Sequence, residues 1–108
     1  MFARLIEINA RSGKASELVR TINEKILPVL KKQNGFVDET ILTSDTEPNR
    51  IIGLGLWNSQ EDAERYQREQ YPKINAILAP LLENAPVIRT FKVLTSTTHR
   101  IAAGRTAA

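Results

Sequence analysis

The chain has 108 residues, of which 42% are hydrophobic and 25% are charged, and its formal net charge at pH 7 is +3. This length and composition are typical of one globular domain with one core. The absence of cysteine excludes disulfides and thiolate metal sites, and the single histidine, His99, excludes any site that needs two imidazole ligands.

The basic residues are spread along the whole chain, and no aromatic residues alternate with them as stacking platforms for bases. We therefore expect no nucleic-acid partner. Residues 1–5 lack the basic start and apolar core of a signal peptide, and no apolar run approaches the roughly 20 residues that cross a bilayer. The expectation is a cytoplasmic protein with no membrane partner.

The first 35 residues predict a strand and then an amphipathic helix. Residues 2–9 (FARLIEIN) are short, apolar and followed by turn residues, as in a strand. Residues 14–34 repeat apolar side chains every three or four positions, which is the period of a helix. Pro28 lies inside this pattern and should bend the helix without ending it, and Gly35 follows where a C-cap favours positive φ.

The rest of the chain predicts three more strands and a second helical region. In chain order these are a strand at 36–43, a strand at 50–57, a helix from Ser59 to about Gln70, a helical segment from Pro72 to Leu82 and a strand at 86–95. Turn residues between 43 and 50 predict a hairpin. We assign residues 1–97 to the domain and residues 98–108 to a polar C-terminal tail.

The order strand, helix, strand, strand, helix, strand is the split βαβ pattern of ferredoxin-like α+β folds, with a four-stranded antiparallel sheet. The third strand is apolar on both faces, with Ile52, Leu54 and Leu56 on one and Ile51 and Trp57 on the other. The chain's own helices can cover only one of these faces. We therefore expect a homodimer in which two sheets pack into a dimeric α/β barrel.

Gly53, Gly55 and Trp57 lie at positions i, i+2 and i+4 of the third strand and must share one face. The two glycines leave a slot beside the only tryptophan. Either a helix packs closely on the glycines, or a flat organic ligand lies against the sheet there, which would make both glycines substrate-binding residues. Trp57 itself has a simpler interpretation, in which it plugs the core while Ser59 caps the next helix.

Charged residues offer fewer candidates. Arg89 alternates with apolar residues on the fourth strand, so it is predicted either to bind an anionic substrate or to pair with Asp38 or Glu39. Because neighbours in a strand point to opposite faces, Asp38 and Glu39 do not form an acid–base couple. His99 is expected to be an exposed residue of the tail.

The Asn34-Gly35-Phe36 helix exit, the hairpin into residues 51–57 and the run Trp57-x-Ser59 followed by Glu61-Asp62 carry a family resemblance. With these motifs the chain resembles the antibiotic biosynthesis monooxygenase family from Phe2 to about Thr97. The resemblance implies a dimeric α/β barrel. Relatives that act on phenols or quinols are similar to oxygenases that need no cofactor, so a small aromatic substrate and no cofactor or metal are expected.

The resemblance and the aromatic chemistry together make Trp57, Tyr66 and Tyr71 the candidate catalytic residues, with Trp57 as pocket wall and the two phenols orienting the substrate oxygen. The positions that carry Asn, Trp and His in the haem-degrading branch hold Ile6, Tyr66 and Ala76 here. Haem is therefore not implied. The alternative function is a non-catalytic dimer that binds an apolar small molecule in its barrel.

Overall fold

A computed structural model describes residues 1–101. They fold into a four-stranded sheet with two helical regions on one of its faces. The elements are β1 (Phe2–Asn9), α1 (Ala15–Thr21), a π-helical turn (Ile22–Ile26), α2 (Leu27–Lys31), β2 (Phe36–Thr43), β3 (Arg50–Trp57), α3 (Gln60–Glu69), α4 (Tyr71–Leu78), a 3₁₀ turn (Ala79–Leu81) and β4 (Val87–Lys92).

The four strands form one antiparallel sheet in the order β2-β3-β1-β4, which confirms the predicted ferredoxin-like α+β fold. β1 and β3 occupy the centre and pair along their whole length, from Phe2 with Trp57 to Asn9 with Arg50. Within one chain the sheet is open, with β2 and β4 at its edges.

The first helical region continues past Pro28, as predicted, but it does so through a π-turn directly before the proline. Pro28 has no N–H, and its ring crowds the carbonyl four residues earlier. The turn relieves this crowding by widening the helix, so that the N–H of Leu27 donates to Ile22 O, five residues back. The helix ends at Lys31 and not at residue 34. Gly35 then has a φ of 81°, as predicted for its position.

β4 is shorter than predicted and ends at Lys92 instead of residue 95. Its partner β1 begins at Phe2, which pairs with Lys92, so the ladder has no further strand residue to pair with. The predicted tail 98–108 lies mostly outside the described residues. Of its described part, His99 is half-buried, and its Nε2 lies 2.7 Å from Asp38 Oδ2, so the expectation of an exposed histidine is wrong.

The core lies between the helices and the sheet face that carries Ile8, Ile51 and Trp57. Trp57, Leu18 and Ile51 are its largest fully buried side chains. The opposite face has no cover in one chain, and it leaves Phe91 50% and Leu42 47% exposed. Among residues 1–101, no helix combines the length and apolar character needed to span a membrane.

Candidate active site

Trp57 ends β3 and is only 1% exposed. The Phe36 ring meets it edge-on with centroids 5.5 Å apart, and the Tyr66 ring lies tilted against it at 5.2 Å. Two residues later, Ser59 is the N-cap of α3, and its Oγ accepts a hydrogen bond from the backbone N of Asp62 at 3.2 Å. The prediction that Ser59 caps this helix is confirmed, and the cap fixes Tyr66 over the indole.

The slot beside Trp57 is occupied by the side chain of Glu39, which reaches across from β2. A Cβ built on Gly53 would lie 2.7 Å from Glu39 Oε2, and one built on Gly55 would lie 2.5 Å from Glu39 Oε1. Both separations are too short for real atoms, so the two glycines provide the space in which this carboxyl group lies. The alternative of a helix packed closely on the glycines is wrong, because their nearest neighbours are side chains of the sheet. The other alternative, a flat ligand against the sheet, stays a prediction.

Arg4 of β1 lies on the same sheet face, because it pairs with Gly55. It is a buried charged residue with 8% exposure. Its Nε and Nη2 donate to Gln67 Oε1 at 3.0 and 2.7 Å, and its Cζ lies 5.2 Å from the Tyr66 ring centroid and 4.7 Å from that of Tyr71. The two rings and the amide hold the guanidinium in one place by hydrogen bonds and cation–π contacts.

Arg4 acts on Glu39 through its positive charge, without a hydrogen bond between the two side chains. Burial raises the pKa of Glu39 to about 7, although the positive charge of Arg4 acts in the opposite direction. Burial also raises the pKa of Tyr66 to about 12 and lowers the pKa of Arg4. Near neutral pH the site therefore holds a cationic guanidinium, a neutral phenol and a carboxyl group that is close to half-ionised.

A cavity of about 40 Å³ opens between these polar groups and the helices. Its polar and aromatic walls are Arg4, Glu39, Trp57 and Tyr66, and Gly53 contributes backbone to the wall. The remaining walls are aliphatic and come from every layer of the fold: Ile6, Ile8, Ile22, Ile26, Leu27, Leu30, Ile41, Ile51, Ile74 and Leu78. At this volume the cavity has room for a few water molecules, whereas a cavity that holds benzene is about 150 Å³.

A larger groove of about 410 Å³ lies outside it, between α2 and the start of β2. Leu27 and Glu39 line both spaces and so form the partition between them. Phe36, Val37, Asp38 and Lys31 complete the groove. At this volume the groove is large enough for a ring-sized ligand.

The structure brings together most of the predicted site residues. Trp57, Tyr66 and Gly53 line the cavity, Gly55 lies under the Glu39 carboxyl group, and Tyr71 packs beneath Arg4. Arg89 is the exception, because it pairs with Leu5 on the opposite face of the sheet and is exposed there.

The ion pair expected between Arg89 and Asp38 or Glu39 is not formed. Asp38 contacts His99, and Glu39 lies on the other face of the sheet, toward Arg4. Within residues 1–101 no group of three or more histidine, aspartate or glutamate side chains is arranged to hold a metal ion.

Sequence reasoning missed Arg4 and Glu39. The available signal was strand alternation, since Arg4 alternates with Phe2 and Ile6 on a face that proves to be the buried one. The candidate residues chosen from the sequence also include none from the first helical region, whereas Ile22, Ile26, Leu27 and Leu30 of that region line the cavity.

Solved structures share this ferredoxin-like fold across most of their length. A Streptomyces coelicolor monooxygenase from the gene ActVA-Orf6, in complex with nanaomycin D, matches with a TM-score of 0.75, 13% identity and coverage of 88% of each chain. A Nitrosomonas europaea protein provisionally described as an antibiotic biosynthesis monooxygenase matches with a TM-score of 0.74 and 14% identity, covering 88% of this chain and all of its own. At these identities the likeness concerns the fold alone.

A second Nitrosomonas europaea structure, of unknown function, matches with a TM-score of 0.76 and 16% identity, covering 89% of this chain and 91% of its own. Among curated proteins, none matches the sequence. The family model for antibiotic biosynthesis monooxygenase matches residues 1–73, from β1 to the start of α4. The chain belongs to the antibiotic biosynthesis monooxygenase family.

Proposed function

We propose that this protein is an oxidoreductase that inserts one oxygen atom of O₂ into a phenolic or quinol-like small molecule, without a metal, flavin or haem. Family membership supports the oxygenase class. The observation that carries the proposal is the convergence of Trp57, Tyr66 and a buried cation, Arg4, on the wall of one small apolar cavity.

The chemistry requires the substrate itself to supply the electrons. A phenol that has lost its proton can pass one electron to O₂, after which the two radicals combine at a ring carbon. One oxygen atom then remains on the ring and the other leaves as water, so that a phenol and O₂ give a quinone and water. The protein's task is to stabilise the phenolate and to keep bulk water away from the radical pair.

The named residues fit these tasks. Arg4 is held by Gln67, Tyr66 and Tyr71, so its positive charge is fixed before the phenolate forms and need not reorganise. Tyr66 stays protonated at neutral pH and can donate a hydrogen bond to the substrate oxygen. Trp57 presents a flat wall to the aromatic ring.

A homodimer is part of the proposal, because the uncovered sheet face is apolar. Leu54 lies at its centre, between Leu5 of β1 and Thr40 of β2, and Phe91 and Leu42 lie toward the two edges. A second copy packing sheet on sheet would bury this face and complete an α/β barrel.

Oxygen uptake tests the oxygenase. Metal-stripped protein is mixed with a panel of naphthols and hydroquinones in an oxygen electrode, and the products are identified with ¹⁸O₂. We expect uptake that falls at least tenfold in Trp57→Phe and Tyr66→Phe and less in Tyr71→Phe, whose phenol lies behind Arg4. Binding of these compounds without oxygen uptake would contradict the proposal and favour the non-catalytic binding protein.

A further inference from the structure

We propose that Glu39 is the general base of the site, and that the substrate is a neutral phenol whose hydroxyl group lies beside the Glu39 carboxyl group in the inner cavity. This inference rests on the proposed function, but it concerns a proton transfer that can be measured without oxygen. It assigns a role to a residue that the family resemblance does not supply.

The first argument is geometric. The Glu39 carboxyl group lies directly over two residues without side chains, on the face of β3 that also carries Trp57. A Cβ at either position would come within 3.0 Å of a carboxylate oxygen, so the carboxyl group lies where it does because both residues are glycine, and an alanine at either position would make it shift. The Arg4 guanidinium donates to Gln67 and acts on Glu39 through its charge, without a hydrogen bond between the two side chains.

The second argument is position. Glu39 and Leu27 are the residues shared by the inner cavity and the outer groove. A ring that enters from the groove therefore meets the carboxyl group before it meets Arg4 or Tyr66. The hydroxyl group of the substrate would lie between a proton acceptor on one side and a fixed positive charge on the other, which is the arrangement that ionises a phenol.

The step balances as a simple proton transfer. The substrate O–H bond breaks, its electron pair stays on the phenolate oxygen, and the proton forms a new O–H bond with the Glu39 carboxylate. No electron is transferred until O₂ reacts. When phenolate and O₂ have combined, the peroxide oxygen takes the proton back, so Glu39 ends the turnover ionised as it began.

The carboxyl group is suited to this exchange, because burial brings its pKa close to neutral pH. The other titratable or charged groups that face it or adjoin it are Arg4 from β1, Tyr66 from α3, Lys31 from α2 and its neighbour Asp38. An arginine side chain stays protonated between pH 5 and pH 9, and burial raises the pKa of Tyr66 to about 12, so Glu39 is the group lining the cavity whose charge changes in this range.

Proton release on binding tests the inference. 1-Naphthol is titrated into the protein under argon by calorimetry in two buffers that differ in ionisation enthalpy, which counts the protons released. The complex holds one proton between the naphthol oxygen and Glu39, so binding releases the proton of any Glu39 that is already protonated in the free protein. Because Glu39 is close to half-protonated at pH 7, we expect about half a proton released per naphthol at pH 7 and almost none at about pH 8.5, where free naphthol is still mostly neutral. 1-Methoxynaphthalene, which lacks the hydroxyl group, should release none.

Three variants make the test specific. Glu39→Gln should bind naphthol without proton release and lower any oxygen uptake by roughly 10²- to 10⁴-fold. Glu39→Asp keeps a carboxyl group and should keep the release. Glu24→Gln, an exposed site on the π-turn, should behave as wild type. Release that persists in Glu39→Gln would overturn the inference.

The two proposals fail separately. If naphthol binding releases a proton only when Glu39 is present, but no phenol supports oxygen uptake, the base is established and the oxygenase is not. If oxygen uptake occurs and Glu39→Gln leaves both uptake and proton release unchanged, the oxygenase stands and the base is wrong.

Discussion

Glu39 is the residue on which the electrostatics of the site depend. Its carboxyl group lies in the wall of a mostly apolar cavity and is partly shielded from water, which penalises the charged form more than the protonated form. Its pKa is therefore raised from 4.5 in the unfolded chain to about 7 in the folded protein. The unfolded chain releases this proton at lower pH than the native protein, so ionisation of Glu39 favours unfolding.

We expect the stabilising effect of a protonated Glu39 to be complete below about pH 4.5 and to be lost as the pH rises through about 7. Replacing Glu39 by Gln removes this titration. The free energy of unfolding of Glu39→Gln, relative to wild type, should therefore rise by up to about 3 kcal/mol between pH 4 and pH 8. Urea unfolding across this range measures it, with Glu24→Gln as the control; a constant difference would mean that Glu39 titrates as an exposed carboxyl group.

At the scale of single residues, sequence analysis could place Trp57 and Tyr66 but not Arg4 or Glu39. Aromatic residues near a helix start are visible in the sequence, and the capped helix then carries Tyr66 to the indole. The side chain that fills the space over a glycine in a sheet depends on how the strands pair. The sequence shows that Gly53 and Gly55 leave a space on one face of β3. Only the register of β2 against β3 shows that Glu39 pairs with Gly55 and fills this space.

At the scale of secondary-structure elements, most strand bounds can be predicted from the local sequence. β1, β2 and β3 have the predicted bounds because turn residues flank each apolar run. The π-turn and the early end of β4 could not be predicted, since one depends on how the helix relieves Pro28 and the other on where β1 begins. A bulge between Phe36 and Asp38 is equally invisible in the sequence, yet it aligns Glu39 with Gly55.

The start of α3 is the element boundary that positions the aromatic wall. Ser59 Oγ accepts from Asp62 N at 3.2 Å, and the Asp62 side chain packs against Gly35, which has no side chain to block it. Ser59→Ala should therefore lower the free energy of unfolding by about 1 kcal/mol. Chemical denaturation measures the loss, and Ser16→Ala, an exposed site inside α1 without a capping role, should cost nothing. Equal losses in the free energy of unfolding for the two substitutions would mean that the Ser59 cap does not stabilise α3.

At the scale of the whole molecule, one sheet face is covered by helices and the other is apolar and open. Val87 is 41% exposed on this face and Phe91 50% exposed. Leu54→Lys places a charge at the centre of the face and should convert the proposed dimer to a monomer, as measured by sedimentation equilibrium. Ile77→Lys, at an exposed apolar residue of α4, should leave the dimer intact. A wild-type protein that sediments as a monomer would contradict the proposed assembly.

The cavity at Glu39 and Trp57 is the centre of the whole account, and a crystal structure of the protein with 1-naphthol, grown without oxygen, tests it most directly. We expect the naphthol ring against Trp57, with Leu27 displaced and the hydroxyl oxygen roughly 2.6–3.2 Å from a Glu39 carboxylate oxygen. Naphthol bound on the open face of the sheet, with the cavity still closed, would contradict it.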